Sequence, residues 1–115
     1  MARSSQAIRD LNDRFRQGDA AIPGRVMITH GVQALIADHD GESQVTVLTS
    51  VRRFDAFDTD NDPYGEHDFG AFDLCDERLF WKIDYYAPDL LHGSEDPSDT
   101  SLTIRVLTIM LASEY

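Results

Sequence analysis

Apolar residues recur along this chain at two periods, and the switches between them mark out its elements. Ala7, Ile8, Leu11 and Phe15 fall at helical spacing, with Ser4 or Ser5 placed to cap the start and Gly18 to close the end. Arg9 with Asp13 and Asp10 with Arg14 stand four residues apart on the polar side, where each pair adds roughly 0.3 kcal/mol of helix stability. Pro23 and Gly24 then break the chain ahead of Arg25, Val26, Met27, Ile28 and Thr29, a run that reads as a short buried strand ending near Gly31. Residues 32–37 suit helix or strand equally. After a polar turn at 38–41, Val47, Leu48, Val51, Phe54 and Phe57 line one side of a helix. The competing alternation of Val45, Val47, Thr49 and Val51 would suit a strand but leaves both Phe residues unplaced.

From residue 59 to 65 the chain is rich in Asp, Asn, Pro and Gly, which predicts a structured loop. Residues 67–74 and 79–86 alternate as the strands of a hairpin joined by Cys75, Asp76, Glu77 and Arg78. With Leu74 facing Leu79, Phe72 opposes Trp81 and Gly70 opposes Ile83 on a core face. His67 then opposes Tyr86, Phe69 opposes Asp84 and Ala71 opposes Lys82 on a mixed ionic and aromatic face. A slip of one residue would exchange the faces. Residues 87–101, with Pro88, Gly93 and Pro97, read as a long excursion closing over one end of the sheet. Residues 103–112 are apolar on both sides and β-branched, as a central strand should be. A helix over 102–112 capped by Ser98 or Thr100 is the alternative. The expected fold is α+β: a small single domain over residues 1–115, with two helices packed on a mostly antiparallel sheet of about four strands.

Length and charge narrow the function. A chain of 115 residues can bury a core without a metal or disulfide staple. Cys75 is its only cysteine, so no internal disulfide can form, and a cytoplasmic location is the expectation. Residues 1–6 lack an apolar signal core, and the longest apolar run, at 109–112, is too short to span a bilayer, so a soluble, intracellular protein is expected. Twenty-one acids against ten bases give a net charge of −11, which disfavours nucleic acid and anionic membranes as direct partners. The acids concentrate at 55–76 and 84–99, whereas the first 25 residues carry five of the ten bases. Such a surface steers a basic protein partner or simply solvates the fold. An unpaired hydrophobic edge strand, if present, would predict a homodimer.

The densest chemistry lies between Asn61 and Tyr86. One reading is recognition, with Asp60, Asp62, Tyr64, Glu66, Lys82 and Tyr86 as binding residues and Trp81 and Tyr85 as further aromatic anchors. A second is acid/base catalysis by His67 with Asp84, or by Glu66, with Lys82 stabilising negative charge and Tyr86 donating a proton. No elbow or cofactor motif marks a nucleophile, and acidic neighbours disfavour a Cys75 thiolate. A third is a satisfied polar network in which Lys82, Asp84, Arg105 and His67 pair across strands while Tyr85 and Tyr86 hydrogen-bond at the edge. The oxygen-rich run from Asp58 resembles a calcium loop but places Pro63 at the obligatory Gly position and Phe69 at the bidentate Glu position. Asx turns and Pro63 are expected to hold it instead. His30, His39, His67, His92 and Cys75 lack zinc-ligand spacing, so no metal and no cofactor are expected.

The segments Asn61-Asp62-Pro63-Tyr64-Gly65-Glu66-His67-Asp68-Phe69-Gly70, Phe80-Trp81-Lys82-Ile83-Asp84-Tyr85-Tyr86 and Arg105-Val106-Leu107-Thr108-Ile109-Met110-Leu111-Ala112, with the closing Glu114-Tyr115, resemble the bacterial family catalogued as domain of unknown function 3768. The stretches Ile8-Arg9-Asp10-Leu11-Asn12-Asp13 and Val51-Arg52-Arg53-Phe54-Asp55-Ala56-Phe57 extend the resemblance over nearly the whole chain. It implies a protein typical of alphaproteobacterial genomes, plasmids and mobile elements, with no reaction assigned and no catalytic residue to carry over. On that implication the leading expectation is a noncatalytic macromolecule-binding module. A host-defence inhibitor or nucleic-acid charge mimic that blocks a Lys/Arg-lined groove is its natural form. A small hydrolase-like enzyme using His67 and Asp84 is the alternative.

Overall fold

Ser4 accepts a hydrogen bond from the Ala7 backbone N–H and starts helix α1 (Ser5–Arg16), which buries Ile8 and Phe15 as their spacing predicts and also buries Asn12 and Arg16. The computed structural model describes residues 4–115; residues 1–3, part of the expected single domain, lie outside the described residues. The predicted pairs on the polar side give way to others. Asp13 bonds Arg16 at 3.0 Å and Arg14 bonds Asp19 at 2.9 Å.

Strand β1 (Gly24–Ile28) follows, and Thr29 caps helix α2 (His30–Ala37). A capping box of Ser43 and Thr46 opens helix α3 (Gln44–Arg52). Three α-helices therefore replace the expected two among the described residues, because the ambiguous stretch at 32–37 has a Thr cap and buries Val32. Helix α3 stops before Phe54 and Phe57, yet both reach the core, packing edge-to-face on each other and on Trp81 with centroids 5.0–6.0 Å apart.

Strands β2 (Phe69–Leu74), β3 (Glu77–Tyr86) and β4 (Ile104–Leu111) complete one sheet of order β1-β4-β3-β2. β3 runs antiparallel to both neighbours and β1 runs parallel to β4. The segment 104–111 is thus the central strand that its two-sided apolar pattern predicts. β1 is not the buried strand expected; it is an edge, with Val26 and Met27 on the surface.

The hairpin register moves by two residues from the expected one. Cys75 and Asp76, at φ 53 and 61, form a two-residue turn with both residues left-handed, so Glu77 and Arg78 join the strand. Leu74 pairs with Glu77, Phe72 with Leu79 and Gly70 with Trp81. A shift of two preserves the faces. Leu79, Trp81 and Ile83 are buried with Leu107, Ile109, Phe15, Val32, Val47 and Val51, so all three helices pack on one side of the sheet. Gly70 and Gly24 permit this closeness, since a Cβ would collide with the Trp81 indole at the first and the Phe15 ring at the second. The other side presents Phe80, Lys82, Asp84, Tyr86, Val106 and Thr108, none of them fully buried. No helix among the described residues is long and apolar enough to cross a membrane.

Candidate functional site

A polar constellation lies between α1 and the covered side of the sheet, and it begins at Asn12. This residue falls within the buried stripe of α1, so its amide must find partners inside the protein. Its Nδ2 donates to the Glu66 carbonyl at 2.9 Å and to the Tyr85 hydroxyl at 2.8 Å, while its Oδ1 accepts from Arg105 Nε at 2.6 Å. The Tyr85 hydroxyl in turn donates to Glu66 Oε1 at 3.1 Å. Arg105, fully buried on β4, also donates from Nη2 to the Pro97 carbonyl at 2.6 Å and lays its guanidinium over the Tyr85 ring at 5.3 Å. Burial pulls the Arg105 pKa below the ordinary guanidinium value, with Tyr85 and Glu66 opposing that shift. Burial also lifts the Tyr85 phenol well above its usual range, so it stays a hydrogen-bond donor.

His67 belongs to an adjoining set. Its backbone is left-handed at φ 55, held there by the N–H donating to Asp62 Oδ1 at 3.0 Å. The imidazole stacks on Phe57 with centroids 3.7 Å apart and planes 3° from parallel. Nδ1 meets Asp13 Oδ1 at 2.8 Å and Nε2 faces Asp62 Oδ2 at 3.6 Å, so both ring nitrogens look at carboxylates of the protein itself. Asp13 shares that oxygen with Arg16 Nη2 at 3.0 Å. Arg16 in turn closes the C-terminus of α3, donating from Nη1 to the carbonyls of Val51, Arg52 and Phe54 at 2.9, 3.2 and 3.0 Å.

Between these sets runs the loop 55–66, clamped from within. Asp58 Oδ1 accepts from the N–H groups of Asp60 and Asn61, each at 2.9 Å, and Asn61 Oδ1 accepts from Asp58 N–H at 3.0 Å. These are the expected Asx turns. Asn61 Nδ2 ties back to the Ala56 carbonyl at 2.9 Å, and Arg9 reaches the Gly65 carbonyl at 3.5 Å. Gly65, at φ 67, makes the turn that sends Tyr64 outward, where 79% of it is exposed. Asp55, Asp58 and Asp60 are exposed, whereas Asp62 and Glu66 retain only 8% and 6% exposure.

Several residues singled out in the sequence are therefore not brought together. His67 lies on the covered side of the sheet; Asp84 lies on the open side, bonded to Lys82 at 2.6 Å. No shared acid/base site forms from them. Glu66 joins Tyr85 instead. Tyr86 lines a shallow groove of about 200 Å³ with Arg25, Met27, Leu90 and Val106, and a second cavity of about 320 Å³ runs from Ala87 to Leu102; neither includes His67, Glu66 or Asp84. Desolvation, then Glu42 and Asp76, raise the Cys75 thiol pKa, in line with a poor nucleophile. No group of three or more His, Cys, Asp or Glu is placed to hold a metal ion among the described residues. Asn12, Asp13 and Arg16 escape a reading of the sequence that looks for clusters. Asn12 does leave one signal, as an amide inside an apolar helical stripe.

The family model described as Protein of unknown function (DUF3768) matches residues 28–114, and the chain belongs to that family. The matched span contains Asp62, Glu66, His67, Tyr85 and Arg105, while α1 with Asn12 and Asp13 precedes it. No curated protein and no solved structure matches the chain.

Proposed function

We propose that this member of the family is a noncatalytic protein-binding module that presents the loop 55–66 to a basic partner. The observation that carries this reading is the division of tasks within that loop. Asp58 and Asn61 clamp its backbone, and Tyr64 stands out at the tip with Asp55 and Asp60 exposed along the same loop. A large ring held by a fixed backbone loses little freedom on binding, and tyrosine is a common anchor at protein interfaces. The net charge of −11 steers a basic surface toward it. Asp62 and Glu66 are turned inward to hold His67 and Tyr85, and Lys82 and Tyr86 belong to the open side of the sheet. The contact surface is thus smaller than the full set of acids and aromatics at 60–86.

The partner class that fits is a protein with a Lys/Arg-lined groove that otherwise holds phosphate, so that the exposed carboxylates imitate nucleic-acid charge. A cytoplasmic setting accords with the lone cysteine. Affinity capture from a native host, followed by titration of the captured partner, tests the reading. Tyr64→Ala should weaken binding about thirtyfold, the size of a typical anchor residue, without lowering the melting temperature. Asp60→Lys and added salt should weaken it too, and DNA should compete. A partner whose binding ignores Tyr64→Ala, Asp60→Lys and salt alike would end the proposal.

A further inference from the structure

We propose that two copies of this chain associate through β1, edge to edge and antiparallel, joining their two sheets into one. Parallel pairing with β4 uses only alternate residues of β1. Arg105 N–H donates to the Pro23 carbonyl at 3.2 Å and Thr29 N–H to the Ile109 carbonyl at 3.1 Å, which turns the backbone groups of Arg25 and Met27 inward and those of Gly24, Val26 and Ile28 outward. Among the described residues, the one outward group with a partner is the Ile28 carbonyl, reached by Gln33 Nε2 at 3.0 Å. Val26 is 48% and Met27 56% exposed, so the strand offers apolar side chains as well as free backbone groups.

Charge identifies the occupant. A chain with 21 acids repels its own copy over most of its surface, yet residues 20–37, which hold β1 and α2, contain no Asp or Glu and carry Arg25 as their single formal charge. A basic partner finds few carboxylates beside this strip, Glu114 at Thr29 and Gly31 among them, whereas a second copy meets little repulsion there. The strand Gly24–Ile28 is also self-complementary. With Val26 on a two-fold axis, all five residues pair. Val26 exchanges both backbone bonds with the partner's Val26, Gly24 pairs with the partner's Ile28, and Arg25 stands beside the partner's Met27. That methionine then lies next to the groove formed by Arg25, Met27, Tyr86, Leu90 and Val106, which a flexible thioether can fill.

This association is independent of the acidic loop, and salt separates the two. Sedimentation equilibrium of the full chain should show a monomer–dimer equilibrium that tightens as salt screens the like net charges, opposite to the effect on a basic partner. Val26→Lys puts like charges face to face on the axis and should raise the dimer dissociation constant about tenfold, with the circular dichroism spectrum and melting temperature unchanged. Met27→Glu sets a carboxylate beside the partner's Arg25 twice and should tighten the dimer. A protein that stays monomeric up to about 0.1 mM, where even weak pairs form, overturns the proposal. So does a folded Val26→Lys variant that dimerises as the parent does, or a Met27→Glu variant that dimerises less.

Discussion

Charged and polar side chains occupy both sides of β3, and the two sides differ in what their contacts are worth. On the covered side Arg105, Asn12, Tyr85 and Glu66 are linked by hydrogen bonds of 2.6–3.1 Å, the Arg105–Asn12 bond fully buried and the two at the Tyr85 hydroxyl partly so. On the open side Lys82 and Asp84 meet at 2.6 Å, as short a contact as any in the first set, with more than a third of each side chain in solvent. Their bond raises the Lys82 pKa against a smaller opposing effect of desolvation. Distance alone would rank the two sides as equals. Solvation separates them: a buried donor or acceptor that loses its partner has no water to replace it, while an exposed pair exchanges one set of hydrogen bonds for another.

Substitutions spread across the two sides should break or sharpen this contrast. Arg105→Met should cost about 3 kcal/mol or more in urea-induced unfolding, because it strands the Asn12 amide oxygen and the Pro97 carbonyl in the interior. Asn12→Leu should cost about 2 kcal/mol, and a double-mutant cycle with Arg105→Met should give a coupling of about 1 kcal/mol or more, since the two share one network. Tyr85→Phe should cost about 1 kcal/mol at neutral pH by removing the link between Asn12 and Glu66. Its pH signature is specific. The phenol pKa is raised in the folded state, so its contribution is full below the ordinary tyrosine value and declines as pH rises above it; the alkaline loss of stability should be smaller in Tyr85→Phe.

An intermediate case sharpens the contrast further. Glu114 is exposed, yet it accepts hydrogen bonds from Thr29 Oγ1 at 2.7 Å, Leu111 N–H at 2.8 Å and Gly31 N–H at 3.3 Å, across the start of α2. The Thr29 bond, then the Leu111 bond, lower its pKa. Its contribution is therefore present above the unfolded carboxylate value and lost as pH falls through the folded one. Because solvent screens an exposed carboxylate, Glu114→Gln should cost no more than about 0.5 kcal/mol at neutral pH and nothing in strong acid. Lys82→Ala should cost least, within about 0.5 kcal/mol. A Lys82→Ala effect as large as that of Arg105→Met would refute the contrast.

Much of the architecture is legible in the residues. The stripe of α1, the two-sided apolar pattern of β4 and the inward Trp81 and Ile83 follow from periodicity, because burial of one face is the same constraint that the period records. The two-residue turn at Cys75 and Asp76 is not legible, since cysteine is no signal for a left-handed turn residue and the expected loop absorbed Glu77 and Arg78. The pairing of β1 with β4 is also hidden: an edge and a buried strand of five residues look alike until the neighbours are known. For the polar site, density along the sequence pointed to 61–86, whereas the partners of that segment come from α1 and β4. Asn12 inside an apolar helix face and Arg105 inside an apolar strand are the traces it leaves, single polar residues at positions where packing alone would choose Leu or Val.

The parallel pairing of β1 with β4 has a consequence for biosynthesis. Everything from α2 through β3 must be made before the first strand has anything to pair with; α1 finds partners at residues 51–67 earlier, and only its Asn12–Arg105 bond waits for β4. A ribosome translating this segment thus carries β1 without its neighbouring strand until residues 104–111 emerge. Pairing of β1 therefore requires closing one long span of chain, and its backbone stays open to proteases and chaperones until that closure.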